Sequence, residues 1–218
     1  MYTISDLFDL EHTEAKAYLS QFTYPWEALK GIRELIIRLG EKLDDEYQQI
    51  SPQVWVHRTA KVAPTAFLGA PCIIGPETEV RHCAFIRESA LVGAGCVVGN
   101  SAELKNVILF DGVETPHFNY VGDSILGYKA HMGAGSITSN VKGDKSPVTV
   151  RMGEEAIATG LKKMGAMLGD FAEIGCNAVL NPGAIVGRNA QVYPLTSVRG
   201  TVPSNSILKQ NGIMVSKR

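Results

Sequence analysis

From Val56 onward an apolar residue recurs at every sixth position. The series runs Val56, Val62, Leu68, Ile74, Val80, Ile86, Val92, Val98, Leu104, Phe110. A helix repeats near 3.6 residues and a strand near 2, so a period of six fits neither. It fits a chain that turns a corner every six residues and points one side chain inward at each turn. Glycine follows the inward residue at Gly69, Gly75, Gly93 and Gly99. A residue without Cβ permits a tight corner or a close neighbouring coil. Three such corners close a triangular coil of about 18 residues.

The beat slips after Pro116 and resumes at Leu126, Met132 and Thr138. It slips again across Asn140–Arg151 and returns at Met152, Ala158 and Met164. After a four-residue step it continues through Leu168, Ile174, Leu180, Val186, Val192 and Val198. Together these hexads amount to about seven stacked coils. The spacing therefore predicts an all-β solenoid, a parallel β-helix over residues 51–203. Composition agrees, because aromatics are only 7% and glycine is 22 of 218 residues. A narrow prism has room for Val, Ile, Leu and Met fillers but little for rings.

Residues 1–50 lack the beat and read as helical, with Thr3 and Asp6 spaced as a capping box. Pro25 suits a first helical turn. Trp26, Leu29, Ile32, Leu35, Ile36, Leu39 and Leu43 then fall on one helical face. Helices this short do not fold alone, so they are expected to cap the first coil or pack on a neighbouring subunit. Residues 204–218 form a tail without a beat.

Lys plus Arg is 21 and Asp plus Glu is 22, a formal charge of -1. That balance offers no general attraction for nucleic acid or an anionic membrane. No run of eighteen apolar residues is present to span a bilayer, and the N-terminus lacks a signal-peptide pattern. The cysteines Cys72, Cys83, Cys96 and Cys176 form no CxxC pair. They read as reduced, mostly buried thiols of a cytoplasmic protein without a structural zinc site.

Departures from a repeat map to protruding loops, often at the binding face. The two departures are Glu103–Gly122 and Asn140–Arg151. His117 sits in the first, three residues before Tyr120. A neutral imidazole is the best general base near neutral pH, although a loop histidine at a subunit contact fits the spacing equally. Arg87 and Lys105 replace the corner residue after Ile86 and Leu104, 18 residues apart. Spacing would stack them on one corner, as a phosphate or carboxylate site or as ordinary surface charge. Lys162, Lys163 and Arg151 could meet a polyanion or simply solvate a loop.

Three segments carry a more specific pattern: Leu104-Lys105-Asn106, then His117-Phe118-Asn119-Tyr120-Val121-Gly122-Asp123, then Met132-Gly133-Ala134-Gly135-Ser136-Ile137-Thr138-Ser139-Asn140. They resemble the acetyltransferase domain of the bifunctional N-acetylglucosamine-1-phosphate uridyltransferase/glucosamine-1-phosphate acetyltransferase family. Gly160-Leu161-Lys162-Lys163-Met164-Gly165-Ala166-Met167-Leu168-Gly169 is similar to archaeal-type members of the same sugar nucleotidyltransferase group. The resemblance covers roughly residues 55–203. It implies a left-handed hand for the β-helix, a homotrimer, and sites built between adjacent β-helices.

The same resemblance implies roles. His117 would be the general base. Arg87 and Lys105 would hold the phosphate of an amino-sugar 1-phosphate, with Tyr120 near phosphate or sugar and Asn140 on the sugar. Ala134 would lie near the thioester of acetyl-coenzyme A. Lys142 or Lys145 would approach sugar or cofactor, and the later coils, with Lys162 and Lys163, would meet the cofactor. No metal takes part in such a transfer. His131 stands where these relatives have Asn, and Ser136 where Thr is common. About 50 residues precede the β-helix, so the nucleotidyltransferase of the family is not expected in this chain, and a separate nucleotidyltransferase is a candidate partner. Two other readings stay open: a non-catalytic sugar-phosphate-binding trimer, and a metal enzyme of the γ-carbonic anhydrase kind, which needs three imidazoles together.

Overall fold

A computed structural model describes residues 1–217. The chain winds into an all-β parallel solenoid of about nine turns with a short helical segment before it, consistent with a left-handed β-helix of hexapeptide repeats. Three faces stack. The first contains Lys61–Val62, Glu79–Val80, Val97–Asn100, Glu114–His117, His131–Met132, Glu173–Ile174, Gln191–Val192 and Ser206–Leu208. The second contains Phe67–Leu68, Ile137–Thr138, Val179–Leu180 and Ser197–Val198. The third contains Val54–His57, Cys72–Ile74, Ala166–Leu168, Ala184–Val186 and Thr201–Val202. Phe85–Val92, Glu103–Leu109 and Tyr120–Leu126 run unbroken around the corner from the second face to the third.

Within the stack the inward series is buried as the beat implies, while Val62 and Leu68 in the first coil are exposed and half-buried. Ile74, Ile86, Val98, Leu104, Leu126, Met132, Leu168, Leu180, Val186 and Val198 are fully enclosed. Glycines at the corners have a physical reason. A Cβ on Gly99 would lie 1.6 Å from the Pro116 carbonyl oxygen of the next coil.

Two parts of the beat differ from expectation. Glu103–Gly122 is not a protruding loop. Its strands stay in register, but Leu104 is followed inward by Leu109, which pairs with both Val92 and Leu126. Phe110 is buried beyond the strand, against Phe8 at 5.1 Å between ring centroids. The coil is one residue short at the second-to-third corner, where Asn106 and Asp123 adopt φ of 55° and 48°. Asn and Asp tolerate this left-handed conformation better than other side chains. The second difference lies in residues 139–165. Met152 and Ala158 are not coil positions; Thr149–Met152 and Glu155–Ala158 pair antiparallel as a hairpin that leaves the prism. The insertion closes at its base, where Met164 N–H donates to the Asn140 carbonyl at 3.0 Å.

The helical segment does not cap the first coil. Its first helix, Ile4–Leu7, carries the expected Thr3–Asp6 capping box. The rest is short: Lys16–Leu19, a 3-10 stretch Pro25–Gly31, and a helix Ile32–Gly40. It runs along the third face against the direction of stacking. Tyr2 bonds Ser204, Leu7 accepts from Asp170, His12 stacks on Tyr128 at 3.6 Å, Leu29 accepts from Asn106, and Gly40 abuts Trp55.

The reason is written in the third face. Six of its strands carry an extra apolar residue pointing outward: Ile73, Leu91, Ile108, Ile125, Met167 and Ile185. All are buried, and the segment that covers them contributes Leu7, Phe8, Trp26, Leu29, Ile32 and Ile36. The sheet ends are closed by antiparallel strands instead. Tyr47–Ser51 pairs with Val54–His57, and Met214–Ser216 pairs with Ser206–Leu208 within the tail. Both remove an open edge. Among the described residues no helix is long and apolar enough to cross a membrane.

Candidate active site

The short corner between the second and third faces gathers several residues singled out by sequence. Asp123 is the centre, its carboxylate buried by the left-handed turn. Its Oδ1 accepts from Lys105 Nζ at 2.9 Å and from Asn106 Nδ2 at 2.9 Å. Its Oδ2 accepts from Asn140 Nδ2 at 2.6 Å, and the same amide reaches the Tyr120 hydroxyl at 3.1 Å. A buried carboxylate persists only when paired and hydrogen-bonded, and here every contact is supplied by this corner. Burial above all, then the carboxylates of Asp123 and Glu103, pushes the Tyr120 phenol above its ordinary value, against smaller opposing effects of Asn140 and Arg87. Tyr120 is therefore a neutral hydroxyl at physiological pH.

Arg87 does not join this cluster. The strand bulges between Ile86 and Glu88, so Glu88 rather than Arg87 stands opposite Lys105. Arg87 instead meets Glu103 at 3.2 Å on the surface. The stacked pair expected from 18-residue spacing is thus replaced by two cations, each already paired. The cause is the missing corner residue, which shifts the register by one.

His117 lies at the opposite edge of the second face, where the first face turns into it. Its backbone N–H donates to Asn119 Oδ1 at 3.0 Å, and its carbonyl accepts from Gly135. Asn119 is buried, and its amide Nδ2 donates to the Gly133 and Ser136 carbonyls, which fixes the turn. His117 lines an open groove of about 400 Å³ together with Ala134, His131, Cys176 and Glu114. Gly122 is five residue steps from His117, so the two edges are at most ~17 Å apart along the chain. His131, noted in the sequence only as a departure from its relatives, enters this groove with its Nδ1 3.0 Å from Glu173 Oε2.

The insertion forms the wall of a larger cavity, of about 620 Å³, further along the second-to-third corner. Lys142 lines it with Arg151, Arg199, Asn181 and Thr149. Arg199 was missed by sequence reasoning. It follows inward Val198 at the same corner position as Arg87 and Lys105, a signal that the hexad register could have supplied. Lys145, Lys162 and Lys163 are exposed and lie outside this lining. Cys83 and Cys176 are exposed, so only half of the thiols are buried as expected. Among the described residues no group of three or more His, Cys, Asp or Glu side chains is placed to hold a metal ion.

Comparison with known proteins finds several relatives by sequence. The family described as the GMPPB C-terminal domain matches residues 70–158. The bifunctional protein GlmU of Methanococcus maripaludis is 27% identical over 214 residues, covering 96% of this chain and 52% of its own length. A bifunctional sugar-1-phosphate nucleotidylyltransferase/acetyltransferase of Sulfurisphaera tokodaii is 33% identical over 91 residues, 42% of this chain and 23% of its own. The chain thus spans about half or less of these relatives. The acetyltransferase domain of PglB from Neisseria gonorrhoeae, solved with acetyl coenzyme A, superposes with a TM-score of 0.34 at 15% identity, over 74% of this chain and 56% of its own. That superposition is too loose to transfer anything between the molecules. The sequence likeness does relate this β-helix to the hexapeptide-repeat, GlmU-like superfamily.

Proposed function

We propose that the protein transfers an acetyl group from acetyl-coenzyme A to the amine of a hexosamine 1-phosphate, with His117 as general base. The observation that carries this reading is the single face bordered by His117 on one edge and by Lys105, Tyr120, Asn140 and Asp123 on the other. The names of the sequence relatives, which join sugar-1-phosphate chemistry to acetyl transfer, support it.

The acceptor lies across that face. Its phosphate meets Arg87 and Lys105, and its hydroxyls meet Tyr120 and the Asn140 amide. Both cations hold carboxylates in the free protein, so the phosphate shares or displaces Glu103 and Asp123 as it binds. The neutral 2-amino group adds to the thioester carbonyl near Ala134, and His117 takes a proton from the attacking nitrogen as the N–C bond forms. Backbone N–H groups of the glycine-rich turn Gly133–Gly135 are the available donors for the tetrahedral oxyanion. Coenzyme A leaves without a covalent enzyme intermediate. Its phosphates fit the cavity of Lys142, Arg151 and Arg199, where guanidinium groups favour bidentate contact with phosphate. Lys145, Lys162 and Lys163 serve this end from outside the cavity, by long-range attraction. The working unit is a homotrimer, and a separate nucleotidyltransferase acts on the product.

Release of free coenzyme A is to be followed over a panel of amino sugars and their 1-phosphates. Release with the phosphorylated hexosamines alone is expected, and H117A should lower the rate by roughly 10²- to 10⁴-fold. A folded H117A protein at the wild-type rate would remove His117 from its role. No release with any amine would favour a sugar-phosphate-binding module.

A further inference from the structure

The groove that holds His117 holds a second imidazole, and it is the better oriented of the two. His131 stands in register between Glu114 on the preceding coil and Glu173 on the following one. Its Nδ1 is 3.0 Å from Glu173 Oε2. Among the described residues, the hydrogen bonds of His117 are made by its backbone. The side chains of His131 and Glu173 are 36% and 51% exposed, and ion pairs that exposed contribute little to stability. What the contact does is orient. A carboxylate on Nδ1 fixes the proton there and leaves the Nε2 lone pair for another partner. Nucleophile or base plus orienting acid is the usual architecture of a proton-handling histidine.

We propose that His131, positioned by Glu173, is the second acid–base group of this groove. The inference rests on the acetyl-transfer reading above. At neutral pH an aliphatic amine arrives as an ammonium, and its nitrogen must lose two protons before an amide results. His131 Nε2 takes the first proton and leaves a neutral amine. The nitrogen lone pair forms the N–C bond at the thioester carbonyl, and His117 takes the second proton. The C–S bond then breaks, and its electron pair goes to sulfur. His131, an imidazolium beside the Glu173 carboxylate, returns its proton to that sulfur. His117 releases its proton to water. The sum is an ammonium and a thioester giving an amide, a thiol and one proton. The charged and titratable groups that face His131 are Glu114, Glu173, Lys129, Arg81, His117 and Cys176.

The test compares wild type, H131N, E173A and E173Q by coenzyme A release over roughly pH 5.5 to 9, together with ¹⁵N spectra of the histidine rings in protein without substrate. H131N should lower kcat by about 10²-fold, leave KM within a small factor, and remove one inflection from the pH profile. E173A should fall between wild type and H131N. E173Q, which still offers an acceptor to Nδ1–H, should recover most of the loss. The ring spectra should show an Nδ1–H tautomer for His131 in wild type and E173Q, and mixed tautomers in E173A. A wild-type kcat and pH profile in H131N would overturn the proposal while leaving acetyl transfer intact, and so would a change confined to KM. Unchanged tautomers in E173A would remove Glu173 as the positioning residue. A wild type inactive with every amine would overturn the parent reading and this one with it.

Discussion

Cys72 and Cys96 lie inside the coils, where no water solvates a thiolate, and burial pushes both thiols up to about 12. Cys83 and Cys176 are exposed at corners. A disulfide reagent at roughly pH 8 should therefore titrate two thiols quickly in native protein and the other two only in denaturant. Fast reaction of all four would mean that the coils open readily. The same distinction between corner and interior explains Asp123. Its type was visible in the sequence, but its importance was not. It stands at a left-handed turn in a coil one residue short at this corner, as does Asn106 in the coil before it. Leu109 and Phe110 are both apolar, so the period could not decide which of them turned inward.

At the scale of elements, the third face is the instructive one. Six outward apolar residues make that face useless in water, and the N-terminal segment is the chain's own cover for it. Trp26 is 3% exposed within that cover. Trp26→Ala should lower the unfolding free energy by about 3–5 kcal/mol, because the cavity collapses only in part. Urea unfolding followed by circular dichroism measures this, and a loss below about 1 kcal/mol would show that the cover is loosely attached. The signal for a covered face was present as an extra apolar residue in six of the third-face strands. The six-residue beat follows one residue per hexad and passes over its neighbour. The opposite error arose at Met152 and Ala158. They keep the period by coincidence, in a stretch whose backbone bonds are satisfied by a local hairpin rather than by neighbouring coils.

At the scale of the whole molecule, a solenoid couples only adjacent coils, so its cooperativity is normally that of nearest neighbours. Here the N-terminal segment ties distant coils together. Asp170 is the main knot. Its buried carboxylate accepts from Asp9 N–H at 2.7 Å, from Tyr128 N–H at 2.8 Å and from Arg188 at 2.7 Å, while Arg188 also donates to the Leu7 carbonyl. Asp170→Ala should cost roughly 3–5 kcal/mol, since it strands Arg188 and two amides. It should also speed hydrogen exchange across residues 4–12 more than in the coil interior. Uniformly raised exchange would show instead that segment and coils open as one unit.

The sequence by itself determined the prism. An inward apolar residue every six positions, with glycine at the corners, leaves a narrow coil as the packing solution, and that coil accounts for the scarcity of aromatics. It also named His117, Tyr120, Lys105 and Asn140 as residues of interest. Only the tertiary structure decided how they group. A one-residue deficit at a corner separates Arg87 from Lys105 and binds Lys105 to Asp123. Strand stacking 42 residues apart in sequence brings His131 to Glu173 across the whole insertion. Neighbours in a solenoid are fixed by backbone register between coils. Register depends on the length of every corner, which a periodic pattern averages away.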